Sequence, residues 1–253
     1  MKPETKRAVP RRIIVGMAQD IGKRDEQQDY CIYSDLYNYE ACESGGIAVV
    51  ADGMGGYENG KNAARTGARS FLECYKKNQS TNINKKLIDS MNYANNAVNK
   101  LKEGGTTLVC AVVDDWKLYW LSVGDSRIYL YRNGLLRRLN IEHNYKHRLI
   151  QKVESGEISF RRAMTDKNRH ALTSFMGLED ITEYDYNDCI FPLLRHDKVL
   201  LCSDGLYKVL SDSEAEKILS GRIGAFADEL VRCALEKRRQ NQDNITAVIL
   251  NIE

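Results

Sequence analysis

The sequence predicts an α+β fold in which helices cover a largely antiparallel β-sheet. Two observations predict this fold class. Short β-branched segments follow one another directly between residues 107 and 139, and turn residues such as Asn133-Gly134 separate them, which is typical of antiparallel hairpins. Longer segments elsewhere repeat apolar residues every three or four positions opposite a charged side, which predicts helices that pack on a sheet.

Nine segments are predicted as strands because they are short, rich in β-branched and aromatic residues, and bounded by turn residues. In chain order they cover residues 13–18, 30–34, 47–51, 107–113, 118–123, 127–131, 135–139, 199–202 and 245–251.

Three apolar stripes with helical spacing predict three helices. The first stripe contains Ala63, Ala64, Gly67, Phe71, Leu72 and Tyr75. The second contains Leu87, Met91, Ala94, Val98 and Leu101, and the third Phe226, Leu230, Cys233 and Ala234. Residues 142–170 are less regular and rich in Arg, Lys and Asn. They predict either a flap beside a site or an ordinary loop with a short helix.

The composition indicates a single globular domain. Of the 253 residues, 43% are hydrophobic and 28% charged, which excludes wholesale disorder. A net charge of +2 argues against a nucleic-acid-binding protein. Residues 13–253 are predicted to form the domain after a basic tail over residues 1–12. No apolar run reaches the roughly 20 residues of a membrane span or the length of a secretion signal.

The cysteines indicate the cellular compartment. The chain has seven of them, widely spread and without a Cys-x-x-Cys pair. Several lie inside apolar runs, where a free cysteine behaves as a small core residue. The expectation is a reduced, cytoplasmic protein without a cysteine zinc site.

Four aspartates lie at the ends of apolar strands. Asp52, Asp125 and Asp204 each follow a strand, and Asp243 precedes one. A strand end holds a carboxylate rigidly where it faces solvent, which suits a metal ligand. Gly53 allows a sharp turn that brings a backbone carbonyl close to the ion that Asp52 would bind. Oxygen donors without a Cys/His cluster favour Mg²⁺ or Mn²⁺. A single Asp-Gly is more often a simple turn, but four such positions together predict a metal site.

Seven short motifs, taken in their order along the chain, resemble those of a known family. They are Arg24-x-x-x-Gln28-Asp29, Asp52-Gly-Met-Gly-Gly56, Gly104-Gly-Thr-Thr107, Val123-Gly-Asp-Ser-Arg127, Leu172-Thr173, Cys202-Ser-Asp-Gly-Leu206 and Asp243-Asn-Ile-Thr246. This set, from about residue 13 to the last residue, resembles the metal-dependent serine/threonine protein phosphatases of type 2C. The resemblance implies a four-layer αββα sandwich, in which two antiparallel β-sheets are flanked by helix pairs.

The resemblance also implies which residues bind metal. Asp52 matches the carboxylate that bridges two ions, and the Gly53 carbonyl matches a ligand of one of them. Asp204 and Asp243 match the ligands of the second ion, and Asp29 matches the residue that holds metal-bound water. In the family, two Mg²⁺ or Mn²⁺ ions activate a water that attacks the phosphorus of phosphoserine or phosphothreonine.

Further positions match less completely. Arg24 matches the arginine that grips the substrate phosphate, and Asp125 matches a ligand of a third, weaker ion shared with Asp204. Gln28 replaces a glutamate of animal members, which indicates a bacterial subclass. Met54 stands where some members have a histidine proposed as general acid, so no side-chain acid can be assigned. Lys208 replaces another aspartate of the third ion.

Two other functions stay open on these residues. A non-catalytic member would bind phosphoproteins with the same fold, but such members typically lose metal aspartates that this chain retains. A phosphatase of small metabolites would use the same centre. The leading expectation is a stand-alone monomeric enzyme that dephosphorylates substrates of serine/threonine kinases.

Two other sequence features predict ordinary packing. His143 and His147 have the spacing of a metal pair but no third ligand, which favours loop packing. Lys237, Arg238 and Arg239 at a helix end are more typical of a solvated terminus than of a surface for an acidic partner.

Overall fold

Two antiparallel β-sheets lie face to face in the computed structural model, which describes residues 12–36, 45–55, 57–221 and 224–253. Apart from Arg12, the predicted basic tail lies outside these residues, as does Cys42. Arg12 forms an ion pair with Glu253 across 2.9 Å. In the described part of the chain no helix is both long and apolar enough to cross a bilayer.

All nine predicted strands are present, together with three short ones. The strands are β1 (Ile13–Asp20), β2 (Asp29–Asp35), β3 (Gly46–Met54), β4 (Gly105–Thr106), β5 (Leu108–Asp114), β6 (Lys117–Val123), β7 (Arg127–Arg132), β8 (Leu135–Arg138), β9 (Asp185–Tyr186), β10 (Phe191–Pro192), β11 (Lys198–Cys202) and β12 (Ile245–Ile252).

The three predicted helices are also present, among four others. The helices are α1 (Tyr57–Lys77), α2 (Ile83–Asn99), α3 (Tyr145–Glu154), α4 (Phe160–Thr165), α5 (Asp204–Tyr207), α6 (Asp212–Leu219) and α7 (Phe226–Glu236). Helices α3 and α4 lie within residues 142–170, where the sequence predicts a flap or a loop with a short helix. Helix α6 was not predicted, although Ser211 and Glu214 form a capping box at its start, which is a recognisable sequence signal.

The sheets and helices form the four layers that the family resemblance implies. The first sheet has the strand order β1-β12-β11-β7-β8, and the second has β10-β6-β5-β3-β2, with β4 beside β3 and β9 beside β6. One apolar core lies between the sheets. A second lies between α1, α2 and the second sheet, and a third between α6, α7 and the first sheet.

Strand β12 shows why the central strands are apolar without interruption. Val248 and Leu250 belong to the core between the sheets, whereas Ala247 and Ile249 belong to the core beneath the helices. Side chains alternate between the two faces of a strand, so a strand covered on both faces needs apolar residues at every position. Each fully buried Leu or Ile contributes about 1.5–3 kcal/mol.

The same topology gathers the ends of six strands at one end of the sandwich. Strand β3 runs out towards this end and β2 begins there, so Asp29 and Asp52 are direct cross-strand partners. In the first sheet, β11 ends beside the start of β12 because Cys202 pairs with Ala247. The turn from β6 to β7 returns at the same end, since Cys202 also pairs with Arg127.

Candidate metal centre

Five aspartates meet where these strands end. The charge of Asp52 interacts with the carboxylates of all four others, Asp29, Asp125, Asp204 and Asp243. Burial, followed by these negative charges, raises the pKa of Asp52 well above its usual range. The structure thus brings together every aspartate that the sequence assigned to the centre, from positions more than 200 residues apart.

Asp29 accepts two side-chain hydrogen bonds at a single carboxylate oxygen. Its Oδ2 accepts hydrogen bonds from Ser203 Oγ at 2.6 Å and from Thr246 Oγ1 at 2.7 Å. Burial raises the pKa of Asp29 to about 7 although both hydroxyls act in the opposite direction. Ser203 and Thr246 were not assigned a role from the sequence. Both lie inside the recognised motifs, but their distance along the chain gave no sign of this contact.

Gly53 lies where helix α1 approaches strand β3. A Cβ atom at Gly53 would lie 2.1 Å from the Gly60 carbonyl oxygen and 2.7 Å from that of Gln28. No side chain fits in this space, so glycine is required for the approach. Gln28 itself is tied to the centre through its backbone, since its N–H donates to Asn244 Oδ1 at 2.8 Å and its carbonyl accepts from Gly53 at 3.3 Å.

Basic side chains contact two of the carboxylates. Arg24 Nη2 donates to Asp243 Oδ2 at 2.7 Å, and Lys208 Nζ donates to Asp204 Oδ2. The Arg24 side chain is 59% exposed and lines a cleft of about 470 Å³ together with Asp52 and Asp243. Arg24 is therefore at the mouth of the cleft that leads to the aspartates. A larger cavity, about 680 Å³, is lined by residues of α3 and by none of these aspartates.

Asp125 lies in the turn between β6 and β7 and is only 8% exposed. Burial, with a further effect of the Asp204 charge, raises its pKa to about 6. Tyr207 donates its hydroxyl to the backbone oxygen of Asp125 at 3.1 Å. His143 packs against the same turn, with Nδ1 3.2 Å from the Gly124 nitrogen, which agrees with the predicted packing role.

The donor set fits divalent cations. Buried carboxylates that raise one another's pKa values are stabilised by positive charge, and carboxylate and carbonyl oxygens suit Mg²⁺ and Mn²⁺. Within the described ranges, no three Asp, Glu, His or Cys side chains are arranged to enclose one ion.

Comparisons with known proteins agree with this arrangement. The family model described as protein phosphatase 2C matches residues 20–245. The serine/threonine phosphatase stp of Listeria monocytogenes serotype 4b is 31% identical over 217 residues, which cover 81% of this chain and 83% of that protein. Protein phosphatase PhpP of Streptococcus pneumoniae serotype 2 is 27% identical and covers 94% of this chain and 97% of its own.

Solved structures share the fold. The Streptococcus agalactiae serine/threonine phosphatase superimposes with a TM-score of 0.79 at 22% identity, covering 95% of this chain and all of that one. The PstP catalytic domain, solved in complex with two manganese ions, gives a TM-score of 0.74 at 22% identity, with 95% and 98% coverage. Because the family model spans nearly the whole chain, this chain belongs to the protein phosphatase 2C family of metal-dependent serine/threonine phosphatases.

Proposed function

We propose that this chain removes phosphate from phosphoserine and phosphothreonine in proteins, at two divalent ions held by the aspartate cluster. One observation carries the assignment of the site: Asp52, whose charge interacts with those of four other aspartates, lines the same cleft as Arg24 and Asp243. An anionic phosphate entering this cleft passes a guanidinium and reaches the oxygen donors. Mg²⁺ and Mn²⁺ both suit this donor set.

Each residue of the cluster has a separate part in the proposed reaction. Divalent ions at this centre supply an activated water and neutralise the phosphoryl oxygens. Asp52 and the Gly53 carbonyl would hold one ion, and Asp52 would also be a ligand of the other. Asp204 and Asp243, at the ends of the adjacent strands β11 and β12, would be the other ligands of the second ion.

Asp29 orients the attacking water in this proposal. The hydroxyls of Ser203 and Thr246 both bind Oδ2 of Asp29, which fixes the carboxylate plane and leaves Oδ1 to accept a hydrogen bond from water. Met54 lines the cleft and has no proton to donate, so the leaving oxygen takes its proton from water.

The substrate class can be tested directly. We expect Mn²⁺-dependent release of phosphate from phosphoserine and phosphothreonine peptides, because the Arg24 guanidinium that lines the cleft is 59% exposed and accessible to a phosphate carried on a peptide. Sugar phosphates and nucleotides at equal concentrations serve as the comparison. Faster turnover of these metabolites than of any phosphopeptide would contradict a protein substrate, and turnover of neither would favour a non-catalytic, phosphoprotein-binding role.

Replacing Arg24 separates phosphate binding from metal binding. In Arg24→Ala we expect kcat/KM for phosphopeptides to fall about 10- to 200-fold, since a charge-assisted hydrogen bond contributes about 1.5–3 kcal/mol. Mn²⁺ affinity should not weaken, because the substitution removes a cation that contacts Asp243. Kinetics and calorimetric Mn²⁺ titration on one preparation measure both. Arg24→Lys, which keeps the charge without the planar fork, should lose less. A marked loss of Mn²⁺ binding in Arg24→Ala would contradict the role.

A further inference from the structure

Lys208 is a cation that the fold itself places in the aspartate cluster. It follows Asp204 by one helical turn at the end of α5, and its Nζ donates to Asp204 Oδ2. Helix α5 has little freedom to move. Leu206 is 2% exposed, and a Cβ atom at Gly205 would lie 2.0 Å from the Asn244 carbonyl oxygen. The backbone that carries Lys208 is therefore held in place, and the side chain extends towards the aspartates.

The Lys208 charge acts on more than its hydrogen-bond partner. Burial lowers the pKa of Lys208, but Asp204, Asp125 and Asp52 together raise it above its ordinary value, so the side chain is a cation at neutral pH. In the reverse direction, Lys208 is the cation that opposes the rise in the pKa of Asp125. The ammonium thus stabilises the negative charges of both Asp125 and Asp204.

The turn that carries Asp125 is held against the same helix. Tyr207, the neighbour of Lys208, donates its hydroxyl to the Asp125 backbone oxygen at 3.1 Å and lies 3.4 Å from Oδ2. The Arg127 guanidinium stacks 3.6 Å from the centre of the Tyr207 ring. These contacts fix Asp125 beside α5, so the position between Asp125 and Asp204 is close to the Lys208 ammonium.

We propose that the Lys208 ammonium is the permanent counter-ion of Asp125 and Asp204, and that it keeps a third divalent ion from binding between them. A divalent ion there would be repelled by the ammonium and would have to compete with it for Asp204 Oδ2. The other oxygen, Oδ1, is available for the two-ion centre, on whose existence this inference rests. The expected third ion shared by Asp125 and Asp204 is replaced in this chain by a side chain.

Counting bound ions tests the inference without relying on activity. Calorimetric titration with Mn²⁺, checked by metal analysis after dialysis against a fixed Mn²⁺ concentration, should give two ions for the wild type and three for Lys208→Asn. If the wild type takes up a third ion at high Mn²⁺, that ion should bind about tenfold more tightly or better in Lys208→Asn. Lys208→Arg should behave as wild type. So should Lys217→Asn, an exposed lysine on α6, as the matched control.

A second substitution shows where the additional ion binds. Adding Asp125→Asn to Lys208→Asn should remove the third ion and leave the other two, and melting temperatures establish that each variant is folded. An equal ion count and equal affinities in wild type and Lys208→Asn would overturn the inference. That result would leave the proposed function standing, whereas a wild type that binds no Mn²⁺ at all would overturn both.

Discussion

Asp52→Asn should nearly abolish phosphatase activity while making the metal-free protein more stable. We expect kcat to fall by at least about three orders of magnitude, because charge stabilisation by bound ions is worth several kcal/mol and Asp52 is the proposed bridge between them. Stability should change in the opposite direction. The substitution removes a negative charge that burial and four neighbouring carboxylates disfavour, so the melting temperature in EDTA should rise.

A matched substitution controls for the loss of an aspartate as such. Asp115 lies in the turn between β5 and β6, where it pairs with Lys117 away from the centre, and Asp115→Asn should leave kcat unchanged. Kinetics with a phosphopeptide at saturating Mn²⁺ and thermal unfolding in EDTA give both readouts. Wild-type turnover in folded Asp52→Asn would refute the assignment of the bridge. A lower melting temperature in EDTA would show that Asp52 has a structural role instead.

Removing the ions should be as damaging as removing the bridge. Dialysis against EDTA is expected to reduce phosphopeptide hydrolysis to background, and Mn²⁺ should restore it. The Mn²⁺ concentration for half-restoration should rise as the pH is lowered from about 8 to about 6, because cations must displace protons from carboxylates. The raised pKa values, about 7 for Asp29 and about 6 for Asp125, place this competition near neutral pH.

The same pKa values predict how stability depends on pH without metal. A carboxyl whose pKa is higher in the folded than in the unfolded protein stabilises the fold at low pH, and this contribution disappears as the pH rises through the folded value. The contribution of Asp29 to the stability of the fold should therefore decline as the pH rises from about 4 to about 7 in EDTA. Bound Mn²⁺ should remove the decline. Full activity in metal-free protein, or an Mn²⁺ requirement independent of pH, would contradict the proposed centre.

The sequence predicted the parts of the fold that depend on local pattern. Strand β12 is recognisable because it is buried on both faces, and α1 because its apolar stripe faces one sheet. The aspartates of the proposed metal centre are recognisable because they lie at strand ends within ordered motifs. Residues 142–170 were less clear, since α3 and α4 are short and lie in a highly charged stretch, although Asn144 and Ser159 cap their N-termini.

What one sequence could not predict is which distant residues meet. Thr246 reaches Asp29 across 217 positions only because of how β12 lies relative to β2, and no local property encodes that pairing. The contact of Arg24 with Asp243 likewise joins residues 219 positions apart. Lys208 is the sharpest case. From the sequence it is a missing metal ligand, whereas the structure shows a cation that contacts the carboxylate an ion would use.

The central position of β12 has a consequence for how the enzyme is made. This strand, although late in the chain, lies between β1 and β11, and it pairs Ile13 with Ile252. Such distant pairing is slow to form because the entropy cost of closing a very long loop comes before the stabilising contacts are made. During synthesis, a ribosome that has not yet released residues 243–252 carries a chain without Asp243 of the proposed centre and without the strand that joins β1 to the rest of its sheet. Hydrolytic competence should therefore arise in one late step, and every nascent intermediate should be inactive towards phosphoproteins.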